Sequence, residues 1–170
     1  MSGTDADKGE IVAFHAARFR RALPASPTRV WDYLTRTEML PSWFGNGEIE
    51  PHAGGAVRLM EGHIRGTVTQ FRAPHFLAYT WNVFDPGEDI SSHPESYLQL
   101  ELEMQDNNDT VLTLTHFPIP EPFRKQTCMG WHTFLDLVEA GVKGGPVPAR
   151  SDLMPRNAAL YGVDLDNLAR

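Results

Sequence analysis

The sequence contains a single cysteine, Cys128, among 170 residues, so no disulfide can form within the chain. A domain without disulfides depends on its hydrophobic core, and a chain of this length buries roughly 70% of the surface that its unfolded form exposes. Disulfide-free chains are typical of reducing compartments. The first ten residues, MSGTDADKGE, are polar and acidic, which does not fit a signal peptide. Together these features predict a cytoplasmic protein.

Positive charge and long apolar runs are also scarce. The chain has 15 Lys and Arg residues against 22 Asp and Glu residues, which gives a net charge of −7. Nucleic acids and anionic membrane surfaces are bound largely through basic side chains, so both are disfavoured as partners. A membrane-spanning helix would need about 18 consecutive apolar residues, and no such run is present. The sequence therefore predicts neither a nucleic-acid nor a membrane partner.

Motifs for metals, cofactors and nucleophilic catalysis are missing as well. The seven histidines are scattered, with no HExxH or HxH spacing, and Cys128 has no CxxC partner. There is no GxSxG motif, and the stretch GGAVRLMEG lacks the pattern of a phosphate-binding loop. The sequence predicts no metal site and no cofactor, and it leaves open whether the protein is an enzyme.

Alternating apolar and polar residues are the strongest signal that is present. In residues 97–104, Leu and Met occupy the even positions, whereas Gln and Glu occupy positions 99, 101 and 103. This pattern is typical of an antiparallel sheet with one face in water. Weaker versions of the pattern predict further strands at 11–23, 46–50, 56–61, 63–72, 76–84 and 110–117.

Helical spacing occurs in two places. After the first predicted strand, Ser26 and Pro27 suit the N-cap and first position of a short helix, and a second short helix is expected from Thr37 toward Trp43. A long helix is predicted from about residue 121 to 143, where glycines and Pro146 follow. Its apolar stripe comprises Trp131, Leu135, Val138 and Val142.

This order of elements predicts an α+β fold in which a curved antiparallel sheet of six or seven strands holds the long C-terminal helix. We expect a disordered N-terminal tail at 1–10, one domain at 11–143, and a C-terminal tail at 144–170 with weak periodicity.

Four stretches, in this order along the chain, carry a family resemblance. They are RALPASPTRVWDYLT (21–35), MLPSWFG (39–45), GHIRGTVTQFRAPHFLAYTWN (62–82), and DTVLTLTHF (109–117) followed by GWHTFLDLV (130–138). These stretches resemble the START-like, or SRPBCC, superfamily, and in particular its branch homologous to an activator of a heat-shock chaperone ATPase. The resemblance implies a helix-grip fold over residues 11–143, with a cavity between the sheet and the long helix. Relatives use such a cavity for lipids, polyketides or other apolar ligands, some as cyclases or hydrolases.

Polar side chains interrupt the faces predicted to point inward, and they are the candidate ligand-binding groups. If the alternation holds, Arg21, Glu61, Tyr79 and His116 converge in a mostly apolar pocket, as in many small-molecule sites. Each also has a structural explanation, since Arg21 and Glu61 could neutralise each other and His116 could satisfy a backbone carbonyl. Three tryptophans complete the candidate set, either as pocket walls or as core: Trp43, Trp81 and Trp131.

Three functions fit these features. The first is a domain that binds an apolar or amphipathic small molecule. The second is a cyclase- or hydrolase-like enzyme that uses the same cavity, with His116 or Glu61 as general acid or base. The third is a protein-interaction module that regulates a chaperone or another partner, with residues 144–170 contributing to the contact.

Overall fold

Seven antiparallel strands form one curved sheet in the computed structural model, which describes residues 7–170. Along the sheet their order is β1-β7-β6-β5-β4-β3-β2. Most of the predicted tail at 1–10 lies outside the described residues, and residues 7–10 are exposed. The strands are β1 (His15–Leu23), β2 (Glu48–Ile49), β3 (Ala56–Leu59), β4 (Ile64–Arg72), β5 (Phe76–Val83), β6 (Ser96–Met104) and β7 (Thr110–Ile119).

Three helices accompany the sheet: α1 (Pro27–Thr35), α2 (Arg124–Val142) and α3 (Arg150–Tyr161). The start of α1 confirms the predicted cap, because the Ser26 hydroxyl accepts a hydrogen bond from the Arg29 amide at 3.3 Å. The apolar stripe of α2 is buried and belongs to the same core as the inward residues of the sheet. The α+β helix-grip architecture is therefore confirmed.

Several predicted elements are shorter than the sequence suggested, among them β2, which spans only Glu48–Ile49 of the expected 46–50, and β3, which ends at Leu59 instead of residue 61. β1 begins at His15 rather than residue 11, because its partner β7 ends at Ile119, directly opposite His15. The next residue is Pro120, which has no amide hydrogen to continue the ladder. The expected helix from residue 37 to 43 is a single 3-10 turn, Leu40–Ser42, since Pro41 cannot donate the backbone hydrogen bond that an α-helix requires there.

Helix α3 was missed by the sequence analysis, which gave residues 144–170 only as a weakly periodic tail. It packs against α2 and ends at Tyr161, and the capping residue Gly162 has a φ of 67°, the left-handed conformation that glycine adopts without strain. Helix α3 contains Pro155, and only two of its residues, Asn157 and Ala158, are buried. The apolar periodicity of its sequence is therefore weak. Among residues 7–170, no helix is long and apolar enough to span a membrane.

Asp136 on α2 joins the sheet and both long helices. One carboxylate oxygen accepts a hydrogen bond from Arg21 of β1 at 2.7 Å, and the other accepts bonds from Arg156 at 2.9 Å and Asn157 at 3.0 Å, both on α3. The Arg21 and Asp136 side chains are only 17% and 15% exposed. Burial alone raises the pKa of Asp136, but the bonds from Asn157 and Arg21 hold that pKa below its usual value.

We expect Asp136→Asn to lower the free energy of unfolding by about 2 kcal/mol, because it removes charge-assisted bonds and leaves a part-buried guanidinium unpaired. Urea denaturation at pH 7 measures this loss. Glu139→Gln, which breaks an exposed pair with Lys143 on the same helix, is the matched control and should change stability by less than about 0.5 kcal/mol. Equal effects of the two substitutions would contradict a structural role for Asp136.

The same carboxylate should make stability pH-dependent on the acid side. Because its pKa is lower in the folded than in the unfolded state, its contribution is present above the unfolded value near 4 and declines as the pH falls through the folded value.

Candidate functional site

A cleft of about 800 Å³ opens where the first turns of α2 face the ends of β5, β6 and β7. Its volume lies within the range of small-molecule sites, which is roughly 300–1,000 Å³. Apolar side chains and prolines form much of its wall: Trp81, Val83, Pro94, Pro118, Ile119, Pro120 and Phe123. The polar lining residues are His63, Asp85, Ser92, His93, Ser96, His116, Gln126, Thr127 and Arg170.

Aromatic rings fill the space between the sheet and the middle of α2. Phe44 lies against Phe134 with 4.6 Å between ring centroids, and against Trp131 with 5.9 Å. Trp81 lies 5.4 Å from Trp131 and forms the boundary between this filled region and the cleft. The cleft of about 800 Å³ therefore lies beyond these rings, at the end of the sheet near the start of α2.

His116 lies at the buried end of the cleft and is held by two side chains. The Trp131 indole N–H donates to Nδ1 of His116 at 3.0 Å, and Nε2 of His116 lies 2.8 Å from the Ser96 hydroxyl. The Ser96 hydroxyl is also 3.4 Å from the Trp81 carbonyl oxygen. An indole nitrogen can only donate, so Nδ1 must be the acceptor and the imidazole is neutral, with its hydrogen on Nε2.

Burial reinforces this neutral state. His116 is 6% exposed, and desolvation lowers its pKa from 6.5 to about 4. The neutral ring is not a general acid near neutral pH, and both its Nδ1 lone pair and its Nε2–H are already engaged, by Trp131 and Ser96.

The C-terminal residues pass along the rim of the cleft. The Gln126 side chain donates to the Ala169 carbonyl at 3.3 Å and accepts from the Ala169 amide at 2.9 Å. This reciprocal pair places Ala169 and Arg170 in the cleft lining, beside the first turn of α2. Part of the predicted tail thus borders the candidate site.

Of the residues predicted from sequence, His116 and Trp81 line the cleft, and Trp131 stands behind His116. Tyr79 is in the core between β4 and β6, 2% exposed, and burial raises the pKa of its hydroxyl. Trp43 is 5% exposed and donates its indole N–H to the Tyr33 carbonyl at 2.9 Å.

The expected convergence of four polar groups does not occur. Arg21 does face inward, but it pairs with Asp136 rather than with Glu61. Glu61 is exposed, because β3 ends at Leu59 and left-handed φ angles at Met60 and Glu61 turn the chain away from the strand. Its carboxylate accepts a hydrogen bond from the Asn46 amide at 3.2 Å. Together with Trp43 it lines a separate cleft of about 400 Å³.

Ser96 and Gln126 also line the cleft, although neither was among the residues predicted from the sequence. Ser96 continues the alternation of β6 to the inward face by one more step, so the pattern contained a signal for it. Gln126 gave no signal, since its partner Ala169 is 43 residues away. Within residues 7–170, no three His, Cys, Asp or Glu side chains are grouped so that they could hold a metal ion.

We expect His116 to make the protein less stable as the pH falls from 6.5 to 4. In this interval the unfolded chain binds a proton at His116 that the folded state rejects, which lowers stability by about 3 kcal/mol over the window. In His116→Gln, which can still accept from Trp131 and donate to Ser96, this part of the pH dependence should vanish. Denaturation curves at pH 7, 6, 5 and 4 measure it.

A second histidine, His132, lies in the same region and is 23% exposed. The variant His132→Gln controls for the contribution of this histidine to the pH dependence. Parallel stability curves of the wild-type and His116→Gln proteins across this window would contradict the neutral, desolvated state of His116.

Comparison with known proteins agrees with this architecture. The profile of the family described as "Activator of Hsp90 ATPase homolog 1-like protein" matches residues 24–142. Among curated proteins, none matches the chain.

Several solved structures share the fold at low sequence identity. CalU16 from Micromonospora echinospora has a TM-score of 0.69 at 20% identity, covering 86% of this chain and 85% of its own. MLL2253 from Mesorhizobium loti has a TM-score of 0.65 at 18% identity, with coverages of 78% and 99%. PFC0360w, an HSP90 activator from Plasmodium falciparum, has a TM-score of 0.63 at 23% identity, with coverages of 77% and 97%.

The family profile spans α1, the sheet from β2 to β7 and α2, and it therefore includes all of the cleft lining except Ala169 and Arg170. The chain therefore belongs to the family of Activator of Hsp90 ATPase homolog 1-like proteins, with the START-like helix-grip fold.

Proposed function

We propose that this protein is a cytoplasmic domain that binds an apolar or amphipathic small molecule in the cleft between the sheet and the start of α2. The observation that carries the proposal is an open space of about 800 Å³ with apolar walls, next to a core that aromatic rings fill. Aromatic and proline walls with few polar groups are the usual composition of a small-molecule site.

The state of the polar groups supports a binding role. At the buried end, His116 is neutral and its partners satisfy both ring nitrogens, so an apolar ligand would not have to strip water from an unpaired charge. Each square ångström of apolar ligand surface removed from water would contribute roughly 25 cal/mol. Trp81 and Phe123 offer flat faces for such contact.

The cyclase- or hydrolase-like alternative would need groups other than the two that the sequence suggested. Nδ1 of His116 accepts from Trp131 and Nε2 donates to Ser96, so neither nitrogen is free to act as acid or base, and Glu61 lines a different cleft. No observation at the cleft favours a particular reaction.

Binding can be tested with N-phenyl-1-naphthylamine, a neutral probe whose fluorescence rises in an apolar site. We expect saturable binding to the wild-type protein and at least about tenfold weaker binding to Thr127→Trp, because the indole would occupy the cleft next to Gln126. Lys125→Trp places the same side chain on the exposed face of α2 and should leave binding unchanged. Equal binding to both variants, or none to the wild type, would contradict the proposal.

A second candidate function, the regulation of an Hsp90-type chaperone, is supported by the family profile and by the likeness to PFC0360w, an HSP90 activator. Helix α3 exposes Leu160, which is 64% accessible, so an apolar side chain is available for a protein contact.

For this second function, we expect the protein to stimulate the ATPase activity of an Hsp90-type chaperone, and Leu160→Glu to reduce the stimulation severalfold by placing a charge in an apolar contact. Ala159→Glu adds the same charge at the neighbouring exposed position and is the matched control. Absence of stimulation by the wild-type protein would remove this candidate and leave small-molecule binding unaffected.

A further inference from the structure

The hydrogen bonds at the buried end of the cleft run in one direction only. The Trp131 indole can only donate, so it directs its hydrogen to Nδ1 of His116. Nε2 of His116 must then donate to the Ser96 hydroxyl oxygen at 2.8 Å, and Ser96 gives its own hydrogen to the Trp81 carbonyl at 3.4 Å. The indole nitrogen therefore determines the direction of every bond in the chain.

Because the hydrogen bonds run from Trp131 to His116 to Ser96, the group left at the buried end of the cleft is an acceptor, the Ser96 hydroxyl oxygen. A hydroxyl has one hydrogen and two lone pairs, so Ser96 keeps one lone pair after it has accepted from His116 and donated to Trp81. Ser96 lines the cleft and is 8% exposed. While Ser96 donates to the Trp81 carbonyl, a ligand that reaches this end meets an oxygen whose remaining site is an acceptor.

The neighbouring loop that joins β5 to β6 adds further acceptors. The Ser92 hydroxyl donates to the Val83 carbonyl at 3.1 Å, which leaves its lone pairs free. Asp85 contributes a carboxylate to the same lining.

Lining groups that can still donate belong mainly to other segments. Thr127 is on α2, Arg170 is at the C-terminal rim, and His93 lies edge-on to Phe123 with 5.0 Å between centroids. A ligand carboxylate could meet Arg170 at the rim. At the buried end, the same carboxylate would face the Ser96 oxygen without a donor or a cation, which is strongly unfavourable.

We infer that the buried end of the cleft selects ligands that donate a hydrogen bond there, namely flat apolar molecules with a phenolic hydroxyl or an N–H group, over ethers and carboxylates of the same size. The acceptor is the Ser96 oxygen, and Trp131 acts through His116 as a positioning residue. This inference rests on the proposed small-molecule binding and adds the chemical class of the ligand.

Three matched probes test the inference by calorimetry at pH 7.5: 2-naphthol, 2-methoxynaphthalene and 2-naphthoate. The wild-type protein should bind 2-naphthol about tenfold or more tightly than the ether, and the carboxylate more weakly still. Equal dissociation constants for the naphthol and the ether, or tightest binding of the carboxylate, would overturn the inference while leaving small-molecule binding in place. Failure of all three probes to bind would overturn both.

Ser96→Ala tests whether the preference for 2-naphthol comes from a hydrogen bond to Ser96 or from the larger size of 2-methoxynaphthalene, which carries an extra methyl group. Without the serine oxygen, Nε2–H of His116 becomes a free donor toward the cleft, so the preference for 2-naphthol over the ether should fall to about threefold or less, or reverse. Ser92→Ala, in the same lining but away from His116, is the matched control and should keep the wild-type ratio. A wild-type ratio in Ser96→Ala would contradict the assignment of Ser96.

The direction of the network has its own readout that needs no variant. Nitrogen NMR of the wild-type protein should show His116 as the neutral tautomer with its hydrogen on Nε2. A hydrogen on Nδ1, or a charged ring at pH 7.5, would overturn the inference even if Ser96→Ala failed to fold.

Discussion

The burial of one face of α2 against the concave side of the sheet is the constraint on which the rest of the structure depends. Trp131, Leu135, Val138 and Val142 are each at most 4% exposed, and their spacing places them on a single face of the helix. The inward residues of strands that are far apart in the sequence pack against these four side chains. The sheet must therefore curve around α2 to cover its apolar face. Each large apolar side chain buried in this way contributes about 1.5–3 kcal/mol.

The cleft exists because this apolar face does not extend to the start of α2. From Met129 onward, large side chains fill the space above the sheet, whereas Gln126 and Thr127 in the first turn are polar or small. Helix α2 therefore does not cover this end of the sheet. The loop before β6 and the C-terminal residues Ala169 and Arg170 form walls of the resulting cleft. Helix α2 thus covers the core from Met129 onward and leaves a cleft of about 800 Å³ beside its first turn.

Polar groups within this core are arranged in two separate ways. On one side, Asp136 accepts hydrogen bonds from residues of β1 and α3 and so connects the first strand to the last helix. At the cleft, Trp131, His116 and Ser96 form a neutral chain whose direction is set by one indole nitrogen. A fold shared with distant structures does not by itself specify a function, so the chemistry of the cleft carries the functional argument.

Local periodicity in the sequence determined the class of the fold, the long helix, the strand faces and the Ser26 cap, because these depend on neighbours within a few residues. The inward positions of Arg21, Tyr79, Trp81 and His116 followed from the same alternation. Only the tertiary structure decided their partners, since the bonds from Arg21 to Asp136 and from Trp131 to His116 depend on how a helix lies across a sheet. Glu61 departed from the pattern because its strand ended two residues earlier, and α3 is defined by contacts with α2 rather than by its own weak periodicity.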